Sequence, residues 1–251
     1  LKLILQELRT GQHQVDSLRC LVSSSALLDP SLKAELLEHL PCDFHECYGT
    51  SEIAIASNLD RAAGLRKTAS VGVAAPGVDI RILDDQQKPL PANQPGEIAC
   101  RTPMRFAGYY QRPDLTDAAM WGEYFRTGDI GKLDDEGFLF FLGRKKEIII
   151  TGGVNVYPQD VESALLTHPQ VSECAVVPMP DNRLGEVVCA VIVARDRSQL
   201  NIRDLQRISA RQLADYQQPH HYIILDELPK NRMGKLMKQE LLKLLQERKY
   251  Q

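Results

Sequence analysis

The 251-residue sequence has no apolar run approaching the ~18–20 residues that a bilayer-spanning helix needs, so no such helix is expected. It also lacks a charge excess. Thirty Lys and Arg against 33 Asp and Glu leave a net −3, too balanced for a dedicated nucleic-acid or polybasic membrane binder. Six cysteines are present (Cys20, Cys42, Cys47, Cys100, Cys174 and Cys189) but no CxxC spacing. Each sits in or beside an apolar stretch, which reads as reduced, strand-buried thiols of a cytoplasmic protein rather than a disulfide framework. Internal repeats and low-complexity tracts are missing too. At 43% hydrophobic and 25% charged residues the composition is that of a globular protein and argues against disorder and fibres. The chain opens at Leu1 without Met or a signal-like segment, and LKLILQELRTG reads as the end of an amphipathic helix. It is therefore expected to begin in mid-domain.

His39, Cys42, His45 and Cys47 place four potential zinc ligands within nine residues. The spacing matches no recurrent zinc motif, and along a short strand the pairs would point to opposite faces. Core packing is the reading taken.

Along the chain, residues 1–57 alternate helix and strand. Leu18–Val22 reads as a buried strand, and Asp29-Pro30 reads as the N-cap and first position of a helix running to about Leu40. Cys42–Cys47 is strand-like and leads into the turn Tyr48-Gly49-Thr50-Ser51-Glu52. This βαβ order suggests the edge of a parallel or mixed α/β layer. Residues 58–145 turn to β: Val78–Ile82 alternates strictly, and Gly96–Arg101 and Gly137–Leu142 read as further strands. Frequent Gly and Pro suggest a small distorted β-barrel. Residues 146–251 read as an α+β module with strands at 147–151, 171–177, 186–194 and 221–225. Its helices open at Pro158, after Asn201 and at about Lys235. Charge follows the division, with −5 over residues 1–144 and +2 over residues 145–251. The expected fold is thus α/β plus α+β, in domains 1–145 and 146–251.

Four strings join a tight turn to a charged or hydroxylated side chain. In Tyr48-Gly49-Thr50-Ser51-Glu52, glycine admits close backbone approach, a hydroxyl can hold phosphate and a carboxylate can hold Mg²⁺; a plain turn with a solvent-facing acid also fits. In Phe125-Arg126-Thr127-Gly128-Asp129, an Asp on a rigid turn can accept two hydrogen bonds from a ribose diol, or can close its own Asx turn. Gly143-Arg144-Lys145-Lys146 puts three cations in a row, which suits a nearby anion, a mobile joint or a solvated linker. Pro229-Lys230-Asn231-Arg232-Met233-Gly234-Lys235 presents a lysine on a glycine turn, able to meet a phosphate or carboxylate or simply to cap a helix.

Together and in order, these strings resemble the C-terminal half of the acyl-adenylate-forming superfamily. That superfamily comprises acyl-CoA synthetases, luciferases and the adenylation domains of peptide synthetases. Ser23-Ser24-Ser25-Ala26, Gly96-Glu97-Ile98 and Gly143–Glu162 fall in the same order, and Gly153–Glu162 looks most like synthetases acting on fatty or aryl acids. The resemblance implies ATP, Mg²⁺ and CoA as cofactors and a small carboxylic acid as substrate, with no nucleic-acid partner. It implies that Tyr48 packs on adenine within the Tyr48-Gly49 nucleotide segment, Ser51 contacts the α-phosphate and Glu52 ligates Mg²⁺. Asp129 would bind the ribose hydroxyls with help from Arg144, and Lys146 would be the hinge of a mobile C-terminal domain. Lys235 would bridge carboxylate and α-phosphate during adenylation. Gly152 and Gly153 would line the CoA tunnel, and Ser25 and Ala26 the acyl pocket, where two glycines are commoner.

Three positions depart from the family pattern: Phe125 stands for a commoner Tyr, Lys146 is one of two usual hinge types, and Lys238 replaces a frequent Arg. The Ser/Thr/Gly-rich phosphate loop does not occur, so the chain is expected to be a fragment of a longer enzyme. A ligase loading a carrier protein, and a non-catalytic nucleotide-binding homologue, are the competing readings. A homodimer is compatible with the sequence and not specified by it.

Overall fold

The computed structural model describes residues 1–10, 15–232 and 234–247; Gly11 and Met233, each part of a string quoted above, lie outside them. The chain divides into two compact units, Leu1–Lys145 and Lys146–Gln251.

The first unit begins with α1 (Lys2–Arg9), β1 (Cys20–Ser23) and α2 (Pro30–His39). The Asp29 carboxylate accepts from the backbone N–H groups of Ser31 and Leu32, and Pro30 occupies the first turn, where no N–H partner is needed. β2 (Asp43–Thr50) runs parallel to β1, so β1–α2–β2 is a crossover unit. Leu36 and Leu37 of α2 pack with Leu5, Leu28, Leu40 and Phe44. The chain then folds back as β3 (Ala54–Asp60), continues through α3 (Arg61–Arg66) and closes a four-stranded mixed sheet with β4 (Val73–Ala74).

No element is expected from the sequence between residues 53 and 69. β3 escapes notice because its buried residues, Ala56, Ser57 and Leu59, do not follow a period of two. Residue 57, the expected end of the α/β part, falls inside β3, and the first layer extends to β4.

The second sheet is built from β5 (Asp79–Leu83) and β6 (Gly96–Arg101), then, after α4 (Pro113–Ala118) and β7 (Met120–Trp121), from β8 (Tyr124–Leu133) and β9 (Leu139–Arg144). Its order is β5-β6-β8-β9, all antiparallel, with β7 paired to the start of β8. The sheet is a curled half-barrel whose Ile80, Ile82, Ile98, Phe125 and Leu139 share one core with Ile53, Ala56 and Val71. A backbone stitch joins the two sheets: Val71 N–H donates to Leu139 O at 2.8 Å, and Leu139 N–H donates to Gly72 O at 2.7 Å.

A 3-10 turn (Lys145–Glu147) begins on the last residue of the first unit, and the second unit continues with β10 (Ile149–Thr151), β11 (Val154–Val156) and α5 (Pro158–Leu166). β12 (Val171–Asp181), β13 (Gly185–Ala194), α6 (Ile202–Gln212), β14 (His221–Leu225) and α7 (Lys238–Glu247) follow. β13 is central: β12 lines one edge antiparallel, while β14 and β10 share the other. Its side chains alternate between two cores. Val188, Ala190 and Ile192 meet Val161, Leu165 and Leu205 of α5 and α6, and Cys189, Val191 and Val193 meet Leu228 and Leu241 and Leu245 of α7. Burial on both faces explains the unbroken apolar run of β13. The last helix begins at Lys238, so Lys235 lies ahead of it rather than at its start.

All six cysteines are free; Cys42, Cys100 and Cys189 are buried, but Cys20 is exposed on β1, contrary to the expectation of uniformly buried thiols. His45 and Cys47 share one face of β2 and both reach the side-chain amide of Asn58, while Cys42 packs with Phe44 in the core under α2. Among the described residues no group of three or more potential ligands could hold a metal ion, and no helix is long and apolar enough to cross a membrane.

Candidate functional site

β2 ends in a bulge at Tyr48 and Gly49, so these two residues and Thr50 belong to the strand, and the turn itself comprises residues 51–53. A Cβ on Gly49 would fall 1.7 Å from the carbonyl oxygen of Ala54; only glycine lets β2 and β3 close this tightly. Ala54, just beyond the turn, takes φ +56°, a costly conformation for a residue with a side chain. The result is a rigid corner that presents Ser51 to solvent and leaves Glu52 half-buried.

Asp129 was expected on a turn and instead lies within β8, where Gly128 at φ +69° kinks the strand. The Thr127 hydroxyl accepts from Asp129 N–H at 3.1 Å and donates to Ile98 O at 2.8 Å. Asp129 is buried, at 1% exposure, yet two polar groups from different elements converge on its side chain. Tyr48 donates its hydroxyl to Asp129 Oδ2 at 2.8 Å. Arg144, directly opposite on β9, sets Nε 3.2 Å from Oδ1. Burial, with the Asp129 charge beside it, pushes the Tyr48 hydroxyl well above the ordinary phenol range, so it stays a donor.

Glu52 faces the same group of charges. Burial pushes its carboxyl up, but hydrogen bonds from Thr50 and Tyr109 and the Arg144 charge outweigh that and hold it below the ordinary carboxylate value. Tyr109 donates to Glu52 Oε1 at 2.9 Å, and Phe106 N–H donates to the Glu52 carbonyl at 2.7 Å. Tyr109 was not singled out from the sequence. The only local signal is the Gly108-Tyr109-Tyr110 string after an aromatic residue, which fixes no partner.

The structure therefore brings Tyr48, Glu52, Asp129 and Arg144 into one cluster and adds Tyr109. It combines two anionic groups, two phenol donors and a half-exposed guanidinium. Such a set can accept from hydroxyls, meet anionic oxygens and hold a hard cation. Ser25 and Ala26 are exposed after β1, with Ser25 at φ +76°, a conformation natural to glycine.

The remaining expected residues belong to the second unit. Lys146 is exposed in the 3-10 turn. Gly152 and Gly153, at φ +55° and +83°, form the two-residue turn between β10 and β11, with Gly152 N–H donating to Leu184 O at 3.0 Å. Lys235 is exposed on a separate turn: its N–H donates to Asn231 Oδ1 and its carbonyl accepts from Asn231 N–H, each at 2.9 Å.

Residues 1–110 match the family model of the AMP-binding enzymes, and residues 160–235 that of the AMP-binding enzyme C-terminal domain. Over 245 residues the chain is 35% identical to the fatty acid–[acyl-carrier-protein] ligase ScoC of Streptomyces coeruleorubidus, covering 96% of this chain and 47% of that protein. The amide bond synthetase McbA from Marinactinospora thermotolerans superposes with a TM-score of 0.90 at 31% identity, over 96% of this chain and 50% of McbA. The o-succinylbenzoate CoA synthetase of Bacillus subtilis, solved with the acyl-adenylate intermediate OSB-AMP, gives a TM-score of 0.85 at 30% identity, over 95% of this chain and 49% of the other. The chain spans about half the length of the relatives it matches. With both family models matched in chain order and 35% identity to a ligase over 96% of its own residues, this chain belongs to the AMP-binding enzyme family.

Proposed function

We propose that this chain is the C-terminal half of an ATP-dependent acyl-CoA synthetase that activates a fatty or aryl acid as acyl-AMP and transfers it to CoA. The observation that carries the reading is the convergence of Tyr48 and Arg144 on the buried Asp129, with Glu52 held ionised beside them.

In the first half-reaction a carboxylate oxygen attacks the α-phosphorus of ATP and the bond to pyrophosphate breaks. In the second, the CoA sulfur attacks the acyl carbonyl and AMP leaves. Both need positioning and neutralisation of charge more than a dedicated base. Asp129 would accept from the ribose hydroxyls while Tyr48 and Arg144 hold it in place, and the Tyr48-Gly49 edge would meet adenine. Ser51 would contact the α-phosphate. Glu52 fits Mg²⁺, a hard cation that keeps most of its waters and shares phosphate oxygens, so one ionised carboxylate suffices. Bound there, the ion would offset phosphate charge. Lys235 would stabilise the charge that develops in adenylation, Gly152 and Gly153 would serve the thiol step, and Lys146 would act as the hinge between the two. Ser25 and Ala26 would border the acid.

A second reading has the acyl group passed to a carrier protein, and the 35% identity to ScoC favours it. Supplying CoA and a carrier protein in parallel to the intact enzyme separates the two acceptors.

The test of the main reading is Lys235→Ala in the intact enzyme. Adenylation should fall by ~10²–10³ or more, the scale of losing one preorganised charge stabiliser, while thiolysis of supplied acyl-adenylate is nearly spared. Equal loss in both halves would overturn the role of Lys235. Residues 1–251 alone should show no ATP–pyrophosphate exchange, and robust exchange would overturn the assignment to an incomplete half.

A further inference from the structure

Lys33 and Glu46 are charged residues buried to 0% and 2% exposure, and they take no part in the cluster described above. Lys33 sits among the buried residues of α2 with Leu36 and Leu37, where helical periodicity calls for an apolar side chain. Glu46 lies on β2 two residues before Tyr48, hence on the same face of the strand. The ammonium and carboxylate touch directly. Burial lowers the Lys33 pKa and raises that of Glu46, in each case against the partner's charge. Desolvating two charges offsets much of their attraction, and a well-packed apolar pair often serves stability as well or better. Stability alone does not account for the pair.

Its geometry does. Lys33 Nζ also donates to Ser70 O at 2.8 Å, and Glu46 Oε1 accepts from Leu28 N–H at 3.2 Å. Ser70 in turn donates its hydroxyl to Leu139 O at 2.8 Å, at the start of the strand that ends in Arg144. Leu28 closes the segment that carries Ser25 and Ala26. One ion pair thus ties together α2, the strand bearing Tyr48, the segment after β1 and the backbone stitch to β9. A slip of one residue in β2 would carry Glu46 and Tyr48 to the opposite face. On one edge the parallel neighbour β1 resists such a slip with only four residues. On the other, β3 pairs antiparallel over His45–Thr50 through the bulge at Tyr48 and Gly49, so the ion pair adds to the hold of β3 from the side where pairing is short.

We infer that Lys33 and Glu46 are positioning residues that lock the register of β2, aiming Tyr48 at Asp129 and so acting on nucleotide binding without touching the nucleotide. This rests on the nucleotide reading of Tyr48 and Asp129.

The experiment compares wild type with Lys33→Met/Glu46→Leu in the intact enzyme. It uses thermal unfolding, calorimetric titration with AMP, and hydrogen exchange of residues 43–50. The double variant should melt within about 3 °C of wild type or higher. Amides 43–50 should exchange about tenfold faster or more while those of β13 stay protected, and AMP should bind about 3- to 30-fold more weakly. Glu46→Gln, which keeps the shape of the side chain but leaves Lys33 without its partner charge and so melts lower, is read by the exchange of residues 43–50 relative to β13 and by AMP affinity should the double variant not fold. Unchanged exchange over 43–50 in a folded variant overturns the lock, whatever the affinity. Faster exchange with unchanged AMP affinity overturns its link to the site. Failure of the wild type to bind AMP counts against the nucleotide reading, and the exchange pattern then decides the lock by itself.

Discussion

Tyr109 donates its hydroxyl to Glu52 across 2.9 Å, although 57 residues separate the two in sequence. The contact belongs to the set that brings the Glu52 carboxyl below its ordinary value despite burial pushing it up. Because the folded-state pKa is depressed, the stabilisation is present above the ordinary carboxylate value and disappears as pH falls through the folded value. Tyr109→Phe should therefore raise the Glu52 pKa, leaving less stability for acid to remove and ending that loss at higher pH, with about 1 kcal/mol lost at neutral pH. Carbon-13 titration of the Glu52 carboxyl, with thermal unfolding across about pH 3 to 7, reads both effects. An unmoved Glu52 titration would show that Thr50 and Arg144 suffice.

Gly49→Ala should cost about 3 kcal/mol or more, near the upper end for overpacking, because the added carbon would lie 1.7 Å from the Ala54 carbonyl oxygen. β2 and β3 would have to part at the corner that presents Ser51 and Glu52. Denaturant unfolding gives the number. A loss below about 1 kcal/mol would mean that the bulge relaxes without strain.

In the second unit, burial pushes the Glu162 carboxyl up more than Lys238 and the Val176 N–H draw it down. A raised folded-state pKa means that stability is fully present below the unfolded value and is lost as pH rises through the folded one. Glu162→Gln keeps an acceptor for Val176 N–H, which now donates to Glu162 Oε1 at 2.8 Å, and leaves Lys238 its contact with Glu147 at 2.9 Å. The variant should melt higher than wild type at pH 7.5, by roughly 2–4 °C if about 1 kcal/mol is recovered, and the gap should close in acid. A lower melting point at pH 7.5 would show that the Lys238 charge dominates.

Elements announced by one or two special residues are legible in the sequence. Asp29-Pro30 marks the start of α2, Asn201 caps α6, and Gly152-Gly153 makes the turn between β10 and β11. Each depends on local backbone chemistry, which sequence carries directly. Features set by partners distant in the chain were not legible. β3 has no alternation because Ala56 lies in the half-barrel core while its neighbour Ser57 is buried through its hydroxyl, which donates to Val71 O, and the FRTGD string reads as a turn because a glycine at φ +69° inside a strand looks the same in sequence. Tyr48, Asp129 and Arg144 could each be singled out by type and neighbours, yet their meeting depends on how β2 and the second sheet pack. Lys33 was hidden most completely, since a charge on a helix is ordinarily taken for a solvent-facing residue.

The double-sided burial of β13 carries a practical rule for handling the molecule. One flank of that strand is roofed by α7, chiefly through Leu241 and Leu245. Trimming the chain ahead of Lys238 would lay bare a greasy stripe of Ala175, Val177, Cys189, Val191 and Val193, an invitation to clumping. Tags and truncations that spare this helix keep the lid on.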